Sequence, residues 1–338
     1  LALLLGGLVM MIALPDGATP IDGYATIITG ALGKKTAIRQ TVKLAVPLLG
    51  CALAIAPCFK MRFWNIGAEG QITAGAIAAS YFALYWVGKV PSAVLLLIMG
   101  LAGAVAGGIW ALIPAFFKAK WNTNETLFTL MMNYVATQLV AFFCVVWESP
   151  KGSGQIGIIN PKTNIGWLPV VGGQKYLLNI LVVLALCALL YFYLAYSKHG
   201  YEISVVGESE NTARYAGINV KKVILRTMSI SGALCGIAGF LLVSGASHTI
   251  STSTAGGRGF TAIIVAWLSK FNAFVMMLVS FLLVFMEKGA IQIASQFNLN
   301  ESASDVLTGI VLFFVLGCEF FINYRLNRNH NKKEEAAK

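Results

Sequence analysis

Four long stretches of this chain contain no Asp, Glu, Lys or Arg: residues 91–117, 126–147, 176–197 and 227–257. A helix needs about 20 apolar residues to cross a lipid bilayer, so each stretch is long enough. Only helices and closed barrels satisfy their own backbone hydrogen bonds in lipid, and continuous apolar runs indicate helices rather than alternating barrel strands. The chain is therefore predicted to be an all-α membrane protein.

The composition also favours a bilayer as the solvent. Charged residues make up 12% of the chain and apolar residues 57%, with a mean hydropathy of +0.75. A soluble domain carries about 25% charged residues. The net charge of +11 does not indicate nucleic-acid binding, because the basic residues lie between apolar runs and in the tail, as membrane topology requires. We expect the lipid bilayer, and no nucleic acid, as a partner.

The apolar runs predict a polytopic bundle of about ten segments in one domain, residues 1–323, followed by a cytoplasmic tail at 324–338. The predicted segments are 1–14, 41–58, 67–87, 91–117, 126–147, 176–196, 223–246, a short one at 259–269, 272–295 and 305–323. The run 1–14 is read as the end of a truncated helix, with a signal peptide as the alternative. Residues 59–66 form either a loop or a break within one helix.

The polar stretch 197–222 is predicted to lie in the cytoplasm, and alternation then fixes the side of every other loop. Residues 60–66, 118–124, Lys270 and the tail also come to lie inside. This places 15 Lys and Arg inside and 9 outside, in agreement with the positive-inside rule. The stretch 15–43 is predicted to be an outside loop, although it is basic.

Glycine is frequent, with 34 residues, and small residues let membrane helices approach closely. The spacing of Gly103 with Gly107, and of Gly232 with Gly236, predicts such contacts. Two helix starts also look alike: Gly67-Ala-Glu69-Gly70 and Gly256-Gly-Arg258-Gly259. On the predicted topology they begin on opposite sides of the membrane, as in an inverted repeat of the kind that forms transporter substrate sites. Chance similarity in a Gly- and Ala-rich chain is the alternative.

No enzyme site is predicted. The three histidines are far apart, and the six cysteines lie singly in apolar runs without a Cys-x-x-Cys pair, so neither a metal site nor a disulfide is indicated. Gly33-Lys34-Lys35-Thr36 lacks the spacing of a phosphate-binding P-loop. Gly152-Ser-Gly154-Gln-Ile-Gly157 follows no predicted strand and is read as a loop. We expect no cofactor, and any ATP must bind another subunit.

Polar residues that interrupt apolar helices are candidate functional sites, because they are costly in hydrocarbon. Asn65 could cap the next helix and Glu69 could suit its dipole, or both could line a translocation path. Asn124 and Glu125 are read as a helix cap. Asn133 lies deeper on the same helix and needs a partner.

The cytoplasmic stretch 206–219 is punctuated like a short helix. Ser209 is a plausible N-cap, Glu210 lies in the first turn and Gly217 is a natural stop. This pattern favours a helix that docks a soluble partner.

Four motifs resemble the permease subunits of bacterial nucleoside ABC importers, within the branched-chain amino acid and simple-sugar permease superfamily. The resemblance covers about residues 40–323. The motifs are Asn65-Ile-Gly-Ala-Glu-Gly-Gln71, Asn124-Glu-Thr-Leu-Phe-Thr-Leu-Met-Met-Asn-Tyr134, Ala213-Arg-Tyr-Ala-Gly-Ile-Asn219 and Gly257-Arg-Gly-Phe-Thr-Ala-Ile263.

The resemblance implies a multi-pass protein of the bacterial cytoplasmic membrane that carries nucleosides by alternating access. It also implies three partners: an ABC ATPase, a second permease and an extracytoplasmic substrate-binding lipoprotein. The stretch 206–219 resembles the helix that couples permease to ATPase, with Glu208, Glu210, Arg214, Tyr215 and Gly217 as its candidate residues. The candidate pathway residues are Asn65, Glu69, Gln71, Asn133, Phe260 and Thr261, with Phe63, Trp64 or Phe260 available to stack on a base.

Two differences from related sequence patterns and three alternative functions bear on this interpretation. Ribose-type permeases carry a Gly-Gly-Ile-Asp-Leu-Ser-Val-Gly pattern where this chain has Asn65–Gln71, which favours nucleosides over free sugars. Residues 266–272 differ from the small-residue turn expected there. The alternatives are a simple-sugar ABC importer, an ion-coupled secondary transporter that uses Glu69 or Glu287, and a structural membrane subunit. Glu287 and Lys288 point about 100° apart on a helix, so each is predicted to meet another helix.

Overall fold

The computed structural model describes residues 19–297, together with the single positions 7, 11, 306, 309, 310, 313 and 317. Between residues 19 and 297 the chain forms eleven α-helices. They are α1 (Pro20–Leu32), α2 (Lys35–Lys60), α3 (Ala68–Tyr85), α4 (Ser92–Trp121), α5 (Glu125–Val146), α6 (Leu177–Tyr196), α7 (Lys198–Glu208), α8 (Glu210–Tyr215), α9 (Val220–Leu241), α10 (Arg258–Leu268) and α11 (Ala273–Gln296). The predicted all-α class is confirmed for this range, where β-structure is limited to two isolated bridges. The predicted segments 1–14 and 305–323 and the tail lie outside it.

Six of the described helices are long and apolar enough to cross a membrane: α2, α4, α5, α6, α9 with its continuation to Ser247, and α11. The predicted segments 67–87 and 259–269 are also helical, as α3 and α10. They differ from the six for physical reasons. Glu69 and Gln71 make the first turns of α3 polar, and the 11 residues of α10 reach only about 16 Å, half the thickness of a hydrocarbon core.

Helix α1 corrects the prediction of a loop over residues 15–43. Thr19 and Asp22 form a reciprocal capping box: the Asp22 N–H donates to Thr19 Oγ1 at 3.3 Å, and the Thr19 N–H donates to Asp22 Oδ2 at 2.9 Å. Pro20 stands at the first helical position, where its missing N–H is not needed. The basic residues after Leu32 obscured a helix whose start signal is present in the sequence.

The chain divides into two compact units, residues 1–38 with 283–338, and residues 39–282. In the first unit, α1 packs on the last part of α11. Ile27 and Ile293 are buried together, and Thr26 Oγ1 lies 3.3 Å from Gln296 Oε1.

Glycines bring α3, α4 and α9 into close contact in the second unit. A Cβ atom on Gly107 of α4 would lie 2.8 Å from the Cα of Gly236 on α9, and one on Gly75 of α3 would lie 2.8 Å from the Gly236 carbonyl carbon. A Cβ atom on Gly103 would lie 3.0 Å from the Gly236 oxygen. The contacts predicted from the glycine spacing are therefore confirmed.

A π-helical turn, Leu242–Ser247, continues α9 and ends at His248, which adopts a left-handed conformation with φ of 55°. The loop between α5 and α6 packs against this end. The Trp167 and His248 rings stack with centroids 3.8 Å apart, and the Ile159 N–H donates to the His248 carbonyl at 2.8 Å. Burial lowers the pKa of His248, and the charges of Lys43 and Lys175 lower it further.

Three polar stretches that were predicted to share one side of the membrane lie at the same end of the second unit. Met61 and Phe63 pack in one buried cluster with Ile203 and Val206 of α7 and with Ala115 near the end of α4. Lys60 and Lys270 line a common pocket. The stretches 60–66, 118–124 and 197–222 are thus grouped as predicted, and the identity of that side as cytoplasmic stays a prediction.

The break over residues 61–67 is a connection between two separate helices, because α2 ends at Lys60 and α3 begins at Ala68. The five described cysteines, Cys51, Cys58, Cys144, Cys187 and Cys235, are buried and free. Gly152–Gly157 lies in a loop, also as predicted, and its Gly152 and Gly154 N–H groups donate to Glu148 at 2.8 and 3.0 Å. These bonds hold the pKa of the Glu148 carboxyl below its usual value.

Substitution of Gly107 by Ala is expected to lower the stability of the detergent-solubilised protein by about 1–3 kcal/mol, the usual cost of overpacking. Gly100→Ala on the same helix is the matched control, because its Cβ would lie 3.6 Å from the Phe240 ring, an ordinary contact. Thermal unfolding followed by size-exclusion chromatography measures both. Equal melting temperatures for the two variants would contradict the close contact of α4 with α9.

Candidate functional site

The carboxylate of Glu69, in the first turn of α3, holds the start of α10. The Gly257 N–H donates to Glu69 Oε1 and the Gly259 N–H donates to Glu69 Oε2, both at 2.7 Å. The first N–H groups of a helix have no partner within it, and a negative charge there suits the helix dipole. A single glutamate therefore caps a helix that lies 188 residues away in the sequence.

Glycine is required on the α10 side of this contact. Gly257 has a φ of 73°, and a Cβ atom on Gly259 would lie 2.8 Å from the Glu69 Cα. The two similar helix starts therefore meet at one point, because the Glu69 carboxylate needs donors and the glycine turn before α10 supplies them. The side of the membrane from which the chain enters each helix stays a prediction.

The connection before α3 is held by a buried amide pair. Asn65 Oδ1 accepts hydrogen bonds from Gln71 Nε2 at 3.0 Å and from the Gly67 N–H at 3.1 Å, and Asn65 Nδ2 lies 3.3 Å from Gln71 Oε1. Both side chains are almost fully buried. The N-cap of α3 is Gly67 and not Asn65, because the Asn65 side-chain oxygen accepts hydrogen bonds from the Gly67 N–H and from Gln71.

Helix α5 fixes the same connection from the other side. Asn133 Oδ1 accepts from the Gly70 N–H at 2.9 Å, and Asn133 Nδ2 donates to the Ile66 carbonyl at 2.9 Å. The partner predicted for Asn133 is thus backbone on both sides. Asn124 caps α5 as predicted, with the Leu127 N–H 3.1 Å from its Oδ1.

Exposed aromatic side chains lie beside this polar network. The Trp64 and Trp267 rings stack with centroids 5.5 Å apart and an interplanar angle of 23°, and they are 46% and 39% exposed. Phe260 is 44% exposed and stands seven residues before Trp267, which places both on one face of α10. Phe63 is buried, and the Thr261 hydroxyl donates to the Gly257 carbonyl within its own helix at 3.2 Å.

Trp267 is the residue that the sequence reasoning missed. Its signal was the departure of residues 266–272 from the small-residue turn expected from the resemblance. The structure therefore brings Asn65, Glu69, Gln71 and Asn133 together as a scaffold around residues 65–71. Beside this scaffold, the exposed aromatic side chains of Phe260, Trp64 and Trp267 form the surface of the candidate site.

The stretch 206–219 contains the end of α7 and the whole of α8 rather than one helix, because Ser209 ends the first helix and caps the second. The Thr212 N–H donates to Ser209 Oγ at 3.2 Å, as an N-cap requires, and Gly217 has a φ of 74°. Glu208 is exposed, Glu210 and Arg214 form a surface ion pair at 3.3 Å, and Tyr215 is 94% exposed. The buried Ala213 anchors α8 to the domain.

The adjacent pair on α11 has unequal surroundings. Glu287 is exposed and Lys288 is half-buried. The predicted contact of Glu287 with another helix stays a prediction, because the predicted segment 305–323 lies outside the described residues.

Residues 37–316 match the family described as branched-chain amino acid transport system, permease component. The glucose ABC transporter permease protein TsgB13 of Haloferax volcanii is 29% identical, over 99% of this chain and 90% of that protein. The guanosine ABC transporter permease protein NupP of Bacillus subtilis is also 29% identical, over 93% and 90%. The nucleoside ABC transporter permease protein NupB of Lactococcus lactis is 27% identical, over 99% and 93%.

Replacement of Glu69 by Gln or Asp is expected to lower the melting temperature of the purified protein. Gln turns one acceptor into a donor that faces an N–H, and Asp is too short to keep both bonds. Hydrogen bonds to a charged group contribute about 1.5–3 kcal/mol each. Glu210→Gln, also in a first helical turn, is the control, because exposed pairs contribute about 0–1 kcal/mol. A Glu69→Gln variant that melts like Glu210→Gln would refute the capping role.

Proposed function

The chain belongs to the family of branched-chain amino acid transport system permease components, and on that premise we propose that it carries nucleosides through the membrane. It is a multi-pass ABC importer permease of the cell membrane and is not itself the catalytic ATPase. Family membership does not determine the substrate, because relatives named for guanosine and for glucose are both 29% identical to the chain. The nucleoside is therefore the proposed part of the function.

The observation that carries the nucleoside proposal is the stacked, exposed pair Trp64 and Trp267, with Phe260 on the same face of α10. Every nucleobase has a flat face, and stacking on an aromatic side chain contributes about 1–3 kcal/mol per base. The Asn65–Gln71 motif, which differs from the ribose-type pattern, also favours nucleosides. A simple sugar is the second candidate, supported by the relative named as a glucose permease.

The proposed roles of the six predicted pathway residues follow from their contacts. Glu69 joins α3 to α10, while Asn65, Gln71 and Asn133 keep the connection 65–70 in shape. Phe260 contributes to the surface that contacts substrate, and Thr261 supports the first turn of α10. In this proposal α3 and α10 move as one body when the bundle alternates between outward and inward conformations.

The remaining proposals concern architecture and partners. Two helix starts that meet at one point are what broken helices at a repeat interface would give, so we retain the ten-segment bundle with an internal inverted repeat, in a single domain of residues 1–323. Membership of the family implies an ABC ATPase and a substrate-binding protein. The proposed complex also contains a second permease. The binding protein is proposed to be a lipoprotein on the outer face of a bacterial cytoplasmic membrane.

Ion coupling at Glu69 or Glu287 is disfavoured. Both oxygens of Glu69 accept backbone hydrogen bonds at 2.7 Å, so a proton or ion would have to displace the cap of α10. Glu287 is exposed on α11. Uptake that survived ATP depletion and collapsed with an uncoupler would revive this mechanism.

Substitution of Trp267 by Ala is expected to reduce ATP-dependent nucleoside uptake about tenfold at subsaturating substrate, the loss of roughly 1.4 kcal/mol of stacking. The assay uses the complex reconstituted with its ATPase and binding protein, and a panel of nucleosides and sugars. Trp267→Phe, which retains a ring, should restore transport. Phe192→Ala removes an exposed aromatic residue of α6 and is the control.

Stimulation of the ATPase by sugars alone would assign the chain to sugar import. If the Trp267→Ala variant transported nucleosides at the wild-type rate, stacking on Trp267 would not contribute to substrate binding.

Tyr215→Ala is expected to leave the melting temperature unchanged, because the side chain is 94% exposed, and to lower both ATPase co-purification and transport. Exposed tyrosines are frequent anchors of protein interfaces. Tyr201→Ala on α7 removes a side chain that is 65% exposed and is the matched control. Equal ATPase binding by both variants would show that α8 is not the coupling element.

A further inference from the structure

A cavity of about 560 Å³ opens where the end of α4 meets α8 and the start of α9. Four basic side chains line it: Lys118, Lys120, Arg214 and Lys221. Glu210 is the acidic residue in the lining. The cavity lies at the end of the domain where the polar stretches 118–124 and 197–222 are grouped.

The positive charge of the lining is only partly balanced. Lys118 pairs with Glu125 at 2.9 Å, and Arg214 pairs with Glu210 at 3.3 Å. Within residues 19–297, no carboxylate lies within ion-pair distance of Lys120 or Lys221. The N-terminus of the 22-residue helix α9 adds the positive end of its dipole at the same place. The cavity is therefore suited to an anion.

The outer face of α4 connects this cavity to the hydrocarbon of the bilayer. Large apolar side chains recur along that face every three or four residues and are all exposed, while the opposite face is buried against α3 and α9. The exposed stripe consists of Leu97, Leu101, Val105, Ile109, Ile113 and Phe116. Continued by one more turn, the stripe arrives at Lys120.

Aromatic side chains mark the point where the stripe meets the cavity. Trp121 is exposed at the end of α4, and the Lys120 ammonium lies 4.5 Å from the centroid of its ring. Tryptophan is enriched at the level of lipid headgroups, where an apolar ring with one polar atom is stable. Basic pockets at the ends of membrane helices suit anionic headgroups.

We propose that this cavity binds the phosphodiester headgroup of an anionic phospholipid, with its acyl chains along the exposed stripe of α4. Lys120 and Lys221 supply the uncompensated charge, and Lys118 and Arg214 complete the basic lining. Since Arg214 belongs to α8, the bound lipid also supports the helix proposed to contact the ATPase; that consequence, unlike the lipid site, rests on the proposed function.

The test compares the full-length protein in nanodiscs of phosphatidylcholine with nanodiscs that also contain phosphatidylglycerol. Native mass spectrometry counts retained lipid, and thermal unfolding reports its effect. Phosphatidylglycerol should be retained and should raise the melting temperature. The double variant Lys120→Gln/Lys221→Gln should bind it about thirtyfold more weakly, because each basic residue near an anionic surface contributes about a fivefold gain.

Lys151→Gln/Lys162→Gln removes two exposed lysines from the loop between α5 and α6 and should retain full lipid binding. Equal retention of both lipids by the wild-type protein would overturn the proposal. Inorganic phosphate that protects as well as the lipid would assign the cavity to a free anion instead.

Two further outcomes would assign the surface to protein. Loss of phosphatidylglycerol when the ATPase is present would make the cavity part of the subunit interface. Disulfide cross-linking between two copies that carry Leu101→Cys would place a second permease on the stripe. Either result overturns the lipid site and leaves the assignment of the chain as a permease intact.

Discussion

The close approach of α3, α4 and α9 through glycine is the constraint on which the rest of the structure depends. Gly75, Gly107 and Gly236 leave backbone in contact with backbone, so that one added carbon on any of them would collide with a neighbouring helix. Membrane helices gain little from apolar burial and are held by such close packing. This contact fixes the start of α3, which carries Glu69, and the start of α9, which borders the basic cavity.

The sequence predicted those parts of the fold that local chemistry determines. Uncharged runs identified the spanning helices to within six residues of their ends, glycine spacing identified the central contact, and the caps at Ser209 and Asn124 followed from side-chain type. It missed α1, because the lysines that follow Leu32 led to the prediction of a loop although the capping box at Thr19 and Asp22 was visible. It also treated 206–219 as a single helix, whereas Ser209 ends one helix and caps the next.

The sequence predicted which residues belong to the candidate site, but not which groups they contact. Glu69, Asn65, Gln71 and Asn133 stood out as polar residues in apolar surroundings. The partners of Glu69 and Asn133, however, are backbone groups 63 to 190 residues away, and pairing across that distance leaves no local pattern. The same residue types could line a path or brace a turn. Trp267 escaped notice because an exposed tryptophan in an apolar chain differs little from a lipid-facing one until its stacking partner is known.

The two hydrogen bonds that anchor α10 come from its backbone and not from its side chains. The exposed positions of that helix can therefore change without loss of its attachment to α3. A scaffold of this kind separates the residues that hold the helix from those proposed to contact the solute, so that on this proposal substrate specificity can change while the fold is preserved. On the proposed function, such a division would allow relatives named for glucose and for guanosine, each 29% identical to this chain, to share one attachment of α10 to α3.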